Sequence, residues 1–359
     1  MGTRAGKFNP ETFFSKNWVI CIGSLFCCVL WGTTAPLIKT CYSLFGLDTE
    51  NVGSLILFAG LRFLLAGILV IAVTSAIRRK FVYPKAKNWW RVGLLSVFET
   101  IAHYIFYYIG LAYVSGVKSS IMGGTAVFFT ILAACFLFRT EKFTWIKLLG
   151  CILGFGGVIL INIGGEFTFT FTLKGEGFLL FSAIFSALAA AVTRVFAKHE
   201  DPAVLYGYQF LLGGVVLVAA GLIAGGEIPV ADIGAIFILI FLALISASTF
   251  TLQGYLLKYC TVSKVAIYKS LDPVFSALFS ALILTEWNIL FSPFNIAALI
   301  IVCVGIYIVN RFGDWHKKPR LLQPPGPSSG APPGGPGEEP AVQNAPQETE
   351  TSTEIKQQL

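Results

Sequence analysis

The sequence predicts an all-α integral membrane protein of ten transmembrane helices, arranged as two inverted five-helix repeats. Three observations predict it. Hydrophobic residues make up 55% of the 359-residue chain and charged residues only 13%, too little polar surface to cover a water-soluble globule of that size. Ten mainly apolar runs approach or exceed the roughly 20 residues that a helix needs to cross the hydrocarbon core. Segments in the first half of the chain reappear in the second at a nearly constant separation of about 146 residues.

The first run, 18–40, follows a short basic N-terminal segment, 1–17, and superficially resembles a secretory leader. The apolar stretch from Trp18 to Gly46 is much longer than the roughly 7–15 residues of a leader's apolar core, so it reads as the first span. The remaining runs are 51–77, 89–112, 115–138, 145–163, 176–197, 203–225, 233–257, 262–285 and 294–312. The connections between them are short and rich in Gly, Pro or charge, leaving little room for a soluble domain. From Pro324 the composition turns Pro/Gly/Ser-rich and then acidic, so 313–359 is expected to be a disordered cytoplasmic tail.

Basic residues are retained on the cytoplasmic side of a membrane and therefore orient the chain. They occupy alternate connections: Arg4, Lys7 and Lys16; Arg78, Arg79 and Lys80; Arg139 and Lys142; Arg194 and Lys198; Lys258 and Lys264; Arg311, Lys317 and Lys318. The intervening connections are acidic or nearly uncharged, with Asp48 and Glu50, then Glu166, Lys174 and Glu176, then Glu227 and Asp232, then Glu286. Both termini are thus expected in the cytoplasm, with the plasma membrane the expected location. Trp18, Trp89, Trp90, Trp145, Trp287 and Trp315 fall at span ends, where an amphipathic ring prefers the interface. The net charge of +7 is spread between apolar runs and forms no basic stripe, which argues against nucleic acid as a partner. Neither the eight cysteines nor the three histidines fall at metal-ligand spacing, and no Walker A, HExxH or GxSxG pattern occurs. The expected partners are a small-molecule substrate and the lipid bilayer, with no cofactor and no metal, and with the protein a monomer or a homodimer.

The repeat rests on four matches. Arg62-Phe63-Leu64-Leu65-Ala66-Gly67 answers to Gln209-Phe210-Leu211-Leu212-Gly213-Gly214; Tyr113 and Lys118 to Tyr259 and Lys264; Glu141 to Glu286; and Gly157 to Asn162 to Gly305 to Asn310. Each unit, 18–163 and 176–312, holds an odd number of spans, so the second must enter the membrane from the side opposite to the first. Such inverted repeats can open a shared central crevice to either side in turn.

The Trp31-Gly32 pair, the Arg62-Phe63 pair, the Pro273-Val274-Phe275 segment followed by Glu286, and the glycine-rich fifth and tenth spans resemble the drug/metabolite transporter superfamily, specifically its EamA-type ten-helix members. The resemblance covers nearly all of residues 15–312. It implies a transporter whose site lies between the halves, lined mainly by spans one, three, four, six, eight and nine. A proline matching Pro273 is missing from the first half, where Val127 or Phe128 stands, so a broken helix is expected in the ninth span only.

Ionisable groups near the bilayer midplane are costly and usually face a cavity or a partner. Glu99 and His103, four residues apart with Tyr107 one turn on, form a polar face suited to a substrate amine or to proton relay; the alternative is a structural hydrogen bond. Lys269 and Asp272, three apart, also share a face, with Lys269 placed to meet a carboxylate or phosphate, to snorkel, or simply to pair with Asp272. Trp31, Thr33 and Thr34, beside Pro36, offer a stacking surface and hydroxyls; the alternative is packing against lipid or a neighbouring helix. Arg62 is matched by neutral Gln209 and belongs to the Arg62-Phe63 pair that carries the family resemblance, and what that resemblance implies for it is a structural or gating role over substrate contact. Lys118 and Lys264 mark possible mouths of the pathway or interfacial anchors. The expected function is a secondary transporter that moves a small polar, amino-acid-like metabolite by alternating access, in the export direction. The alternatives are an exchanger of anionic phosphorylated or nucleotide-linked solutes, and a non-transporting structural or receptor-like membrane protein.

Overall fold

The computed structural model describes residues 13–14, 16–137, 143–161, 171–229, 232–259 and 271–312. All regular elements among them are helical. Seven helical stretches are long and apolar enough to cross a membrane: Trp18–Leu44, Val52–Arg78, Ala86–Tyr113, Gly116–Leu137, Leu173–Thr193, Pro202–Ile223 and Ile233–Tyr259. Three shorter apolar helices accompany them, Trp145–Leu160, Asp272–Ile283 and Pro293–Ile308. The chain is an integral membrane helical protein.

The first stretch is divided into α1 (Asn17–Gly32) and α2 (Thr34–Leu44) at Thr33, just ahead of Pro36. Next, α3 (Val52–Arg78) starts at Asn51, whose side chain accepts a hydrogen bond from the Ser54 N–H, and ends at Arg79 in the left-handed conformation, φ 52°. The third stretch contains α4 (Trp89–Leu95) and α5 (His103–Tyr113), joined by a π-helical segment over Ser96–Ala102. Glu99 lies inside that segment, so the regular α-helical face expected for Glu99 and His103 is rewound at its first member.

The fourth stretch corrects the expectation of a break in the ninth alone. It consists of α6 (Gly116–Gly123) and α7 (Ala126–Leu132), interrupted at Gly124–Thr125, with a further π segment over Ala133–Leu137. Two successive glycines weaken the helix there, and the Thr125 hydroxyl donates to the Met122 carbonyl at 2.6 Å, offering the backbone an alternative partner. Gly124 also leaves room for Pro273: a Cβ at this position would lie 3.0 Å from the proline Cγ.

The remaining elements are α8 (Trp145–Ile161), a π segment (Leu173–Gly177) leading into α9 (Phe178–Phe196), α10 (Pro202–Ile223), α11 (Ile233–Tyr259), α12 (Asp272–Ile283), α13 (Trp287–Leu290) and α14 (Pro293–Phe312). Asp201 caps α10 by accepting from the Ala203 N–H, with Pro202 at the first helical position.

The most extensive helix contact joins α3 to α10, and the next joins α8 to α14. Both pairs are antiparallel. Along α3 and α10, Gly53 lies against Gly226, Gly60 against Val218 and Gly67 against Leu211, while Gly214 lies against Leu64 and Gly221 against Leu57. A Cβ on Gly60 or Gly214 would stand 2.5 Å from a backbone nitrogen of the facing helix. Glycines every seventh residue on both helices thus permit backbone-to-backbone packing, which lipid-embedded helices use in place of a hydrophobic driving force. Similarly, Gly157 faces Val302 and Gly305 faces Gly150. Further contacts join α3 to α11, α10 to the Ser96–Ala102 segment, α1 to α12, α9 to α7, and α6 to α12.

Candidate functional site

A cavity of about 240 Å³ lies among these helices. It is the volume of roughly eight liquid waters, the scale of a small metabolite. Trp31, Gly32 and Thr34 reach it from the break between α1 and α2, and Glu99, His103, Tyr104 and Tyr107 from the third stretch. Ser119, Ser120 and the Gly123-Gly124 break line it from the fourth. The lining is completed by Ser186 and Ala190 of α9, Tyr206 of α10, Phe250 and Gln253 of α11, and Asp272, Pro273 and Ser276 of α12. Two interrupted helices therefore contribute backbone bends to the wall, at Thr33 and at Gly124–Thr125. Irregular backbone at membrane depth is tolerated where it faces protein or a cavity rather than lipid.

Five of the residues singled out from the sequence, Trp31, Thr34, Glu99, His103 and Asp272, are brought together around this cavity. Glu99 is 5% exposed, and His103 Nδ1 stands 4.0 Å from its Oε1. Trp31 packs edge-on against Phe250 with centroids 5.3 Å apart. Arg62 is not part of the lining. It is wholly buried, donating to the Leu242 carbonyl at 3.3 Å, to Tyr108 Oη at 3.0 Å and to Ser246 Oγ at 2.8 Å. Lys269, like Lys264 and Glu141, lies outside the described residues.

Among the described lining residues the ionisable groups are the carboxyls of Glu99 and Asp272, the His103 imidazole, and tyrosine phenols; no lysine or arginine is present. The wall is otherwise largely aromatic. His103 stacks on Tyr104 at 4.2 Å, Tyr104 meets Tyr107 at 5.9 Å, and Tyr206 meets Phe250 at 5.6 Å. Carboxylates set among electron-rich ring faces attract cations twice over, by charge and by the ring quadrupole.

Side chains bridge the helices at one part of the cavity wall. Ser120 Oγ and Ser276 Oγ are 2.6 Å apart, joining α6 to α12. Beyond them, the Glu286 carboxylate accepts from the N–H groups of Gly116 and Val117 at 3.1 and 2.9 Å, capping the start of α6. Lys118 Nζ stands 3.9 Å from Glu176 Oε1, and the other Glu176 oxygen accepts from the Thr172 N–H and hydroxyl at 2.9 and 2.7 Å. Lys118 is thus engaged with a carboxylate.

Tyr104, Tyr206, Phe250, Ser120 and Ser276 were not distinguished by sequence reasoning. Aromatic rings and single serines in a span read alike whether they face lipid, a neighbouring helix or a cavity. Gln253 carried a usable signal, an amide in an otherwise apolar run.

The model of a family described as EamA-like transporters matches residues 17–163 and 173–311. The chain is similar to a chloroplastic WAT1-related protein of Arabidopsis thaliana, 23% identical over 82% of this chain and 69% of the relative. It is similar to an uncharacterized transporter of Archaeoglobus fulgidus, 27% identical over 69% and 85% of the two chains. It is also similar to the uncharacterized transporter YvbV of Bacillus subtilis, 28% identical over 79% and 89%. One solved crystal structure superposes with a TM-score of 0.60 at 15% identity, covering 81% of this chain and 96% of the other, which speaks for the fold alone.

Proposed function

This chain belongs to the EamA-like transporter family, within the drug/metabolite transporter superfamily, and from that premise we propose that it moves an amino-acid-like metabolite by alternating access, as an exporter in the plasma membrane. The observation that carries the substrate class is the cavity lined by Glu99, Asp272 and His103 among aromatic rings, with no lysine or arginine among its described lining. A protonated amine is the group such a wall holds best. The same observation, together with the engagement of Lys118 by Glu176, weighs against a site built for phosphorylated solutes.

Alternating access draws on a pseudo-twofold arrangement of ten spans with both termini cytoplasmic. In support, the helices that match in sequence meet each other antiparallel, α3 with α10 and α8 with α14. The contact of α3 with α11 has its counterpart in that of α10 with the third stretch, and the contact of α1 with α12 in that of α9 with α7. The polar contacts correspond too. Arg62 bonds Ser246 and, at the matching positions, Gln209 Oε1 accepts from the Thr100 hydroxyl at 2.6 Å. A chain whose halves exchange conformations about such an axis exposes the cavity to each side in turn.

The experiment is uptake into proteoliposomes by the full chain, comparing radiolabelled amino acids with sugar phosphates. Saturable amino-acid flux supports the reading; flux of sugar phosphates alone, or of neither, overturns it. Proton coupling through Glu99 and His103 belongs to the same proposal, and a Glu99→Gln variant that still responds to an imposed pH gradient would remove Glu99 from it.

A further inference from the structure

Arg62 poses a problem that the transport reading leaves open. A guanidinium with no exposed surface sits at membrane depth, and its hydrogen bonds go to a carbonyl, a phenol and a serine hydroxyl. Among the described residues no carboxylate pairs with it. Its positive charge is therefore spread over neutral dipoles and ring faces, 5.2 Å from the Phe63 centroid and 6.0 Å from that of Tyr104. Tyr104 is also a wall of the cavity. One aromatic ring separates a fixed cation from the space where the substrate would sit.

The second half holds no charge at the corresponding position. At the matching place in the second half, Gln209 makes the corresponding contact with Thr100 and is equally buried. What the charge changes is the potential inside the cavity. Glu99 and Asp272 favour an ammonium and repel a carboxylate, so a zwitterion would be penalised at one end. A cation behind Tyr104, acting through a poorly screening interior, offsets that penalty on one side. Tyr104, 6.0 Å from the guanidinium, and Tyr107 both line the cavity, and their phenols are donors able to receive the carboxylate beside that cation.

We propose that Arg62 is a positioning residue for zwitterion selectivity: the substrate's ammonium lies toward Glu99 and Asp272, and its carboxylate accepts from the Tyr104 and Tyr107 phenols, backed by the buried guanidinium. The proposal rests on the amine-binding reading of the cavity above. Arg62 makes no contact with substrate and acts through the tyrosine wall.

The test uses matched pairs that differ only in the carboxylate, leucine with isoamylamine and phenylalanine with phenethylamine, on the full chain. Apparent affinities come from ligand-induced thermal stabilisation in detergent, and flux from proteoliposomes. The wild type is expected to bind the amino acid of each pair more tightly than the amine. Arg62→Gln installs the residue that the second half already uses; it is expected to weaken the amino acids on the order of tenfold, the equivalent of one modest charge interaction, and to leave the amines within about twofold of wild type. Arg62→Lys keeps the charge and is expected to keep the preference. Equal weakening of acid and amine in Arg62→Gln would mean a purely structural role and overturn the proposal. Should Arg62→Gln fail to fold, the wild-type comparison decides, because amines binding as well as the amino acids overturns the proposal by itself. Loss of discrimination in Lys269→Ala but not in Arg62→Gln would transfer the role to Lys269. Amines and amino acids handled alike would sink only this inference, whereas no interaction with either would sink the amine-binding reading as well.

Discussion

Replacing Ser120 and Ser276 together by cysteine tests the motion that the proposed alternating access requires. Their hydroxyl oxygens are 2.6 Å apart across α6 and α12. With one bent Cβ–Oγ bond on each side of that gap, the Cβ atoms fall near the roughly 3.5–4.5 Å that a disulfide bridges. The native contact is weak. A hydrogen bond of this kind contributes about 1 kcal/mol net, so Ser120→Ala alone should shift the opening equilibrium by no more than about tenfold. A disulfide does not open thermally, and it keeps the paired Cα atoms within about 7 Å, too close for the two helices to part and admit a metabolite between them. Oxidation of the double variant, in a background from which the eight native cysteines have been removed, should therefore reduce flux to below about one-tenth, with recovery on reduction. Flux into proteoliposomes, read alongside the cross-linked fraction, is the assay. Both serines line the cavity, so the reduced double variant and each single variant serve as controls for lost substrate contacts. Unchanged flux in fully cross-linked protein would refute the idea that α6 and α12 separate during transport.

Glu286→Gln should lower the thermal midpoint by roughly 5 °C, because two charge-assisted bonds to the first N–H groups of α6 become neutral or are lost, and scanning fluorimetry in detergent would measure it. Gly214→Ala should destabilise by about 1–3 kcal/mol through overpacking against Leu64, whereas Gly93→Ala, where an added Cβ meets nothing within 4 Å, should not destabilise; equal effects would contradict the close approach of α3 and α10. Lys80→Cys and Lys198→Cys should be labelled by a membrane-impermeant maleimide from the same side of the bilayer, and Glu50→Cys from the other. Labelling of the first two from opposite sides would dismantle the inverted-repeat topology.

The membrane class was legible because hydropathy alone forces it, and the helices fell close to the apolar runs because each must satisfy its own backbone in lipid. The third and fourth stretches show where that legibility stops. The π segment around Glu99 leaves no compositional mark, since Ser96 to Ala102 reads as ordinary helix. The break at Gly124–Thr125 did leave one, the Gly123-Gly124-Thr125 sequence, but a search for proline passed over it because the relevant ring, Pro273, belongs to another helix. The seventh-residue glycines of α3 and α10 were also readable, as Gly53, Gly60 and Gly67 against Gly207, Gly214 and Gly221. Their meaning required knowing that the two helices face each other. The charged groups of the described lining, Glu99, His103 and Asp272, were all legible in the sequence, whereas the rings of Tyr104, Tyr206 and Phe250 were not, because charge has few tolerable places at membrane depth and an aromatic ring is at home on every face.

The comparison of Arg62 with Gln209 carries this argument one step further. Both side chains are fully buried, both reach a hydroxyl on a neighbouring span, and the hydroxyls themselves, Ser246 and Thr100, stand at matching positions. If the contact were the whole purpose, the neutral amide would serve both halves, and the chain would be spared about 2.5–3.5 kcal/mol for holding a charge at the centre of a span. Glu99 and Asp272 break the symmetry in the same way, standing against Ile245 and Ala126. A pseudo-symmetric scaffold has to be matched wherever the halves exchange roles and is free to differ wherever a solute, itself asymmetric, is held. Under the proposal made above, the unmatched charges are the places where the scaffold gives way to the substrate, and the proposed orientation of the substrate in the cavity follows from their signs.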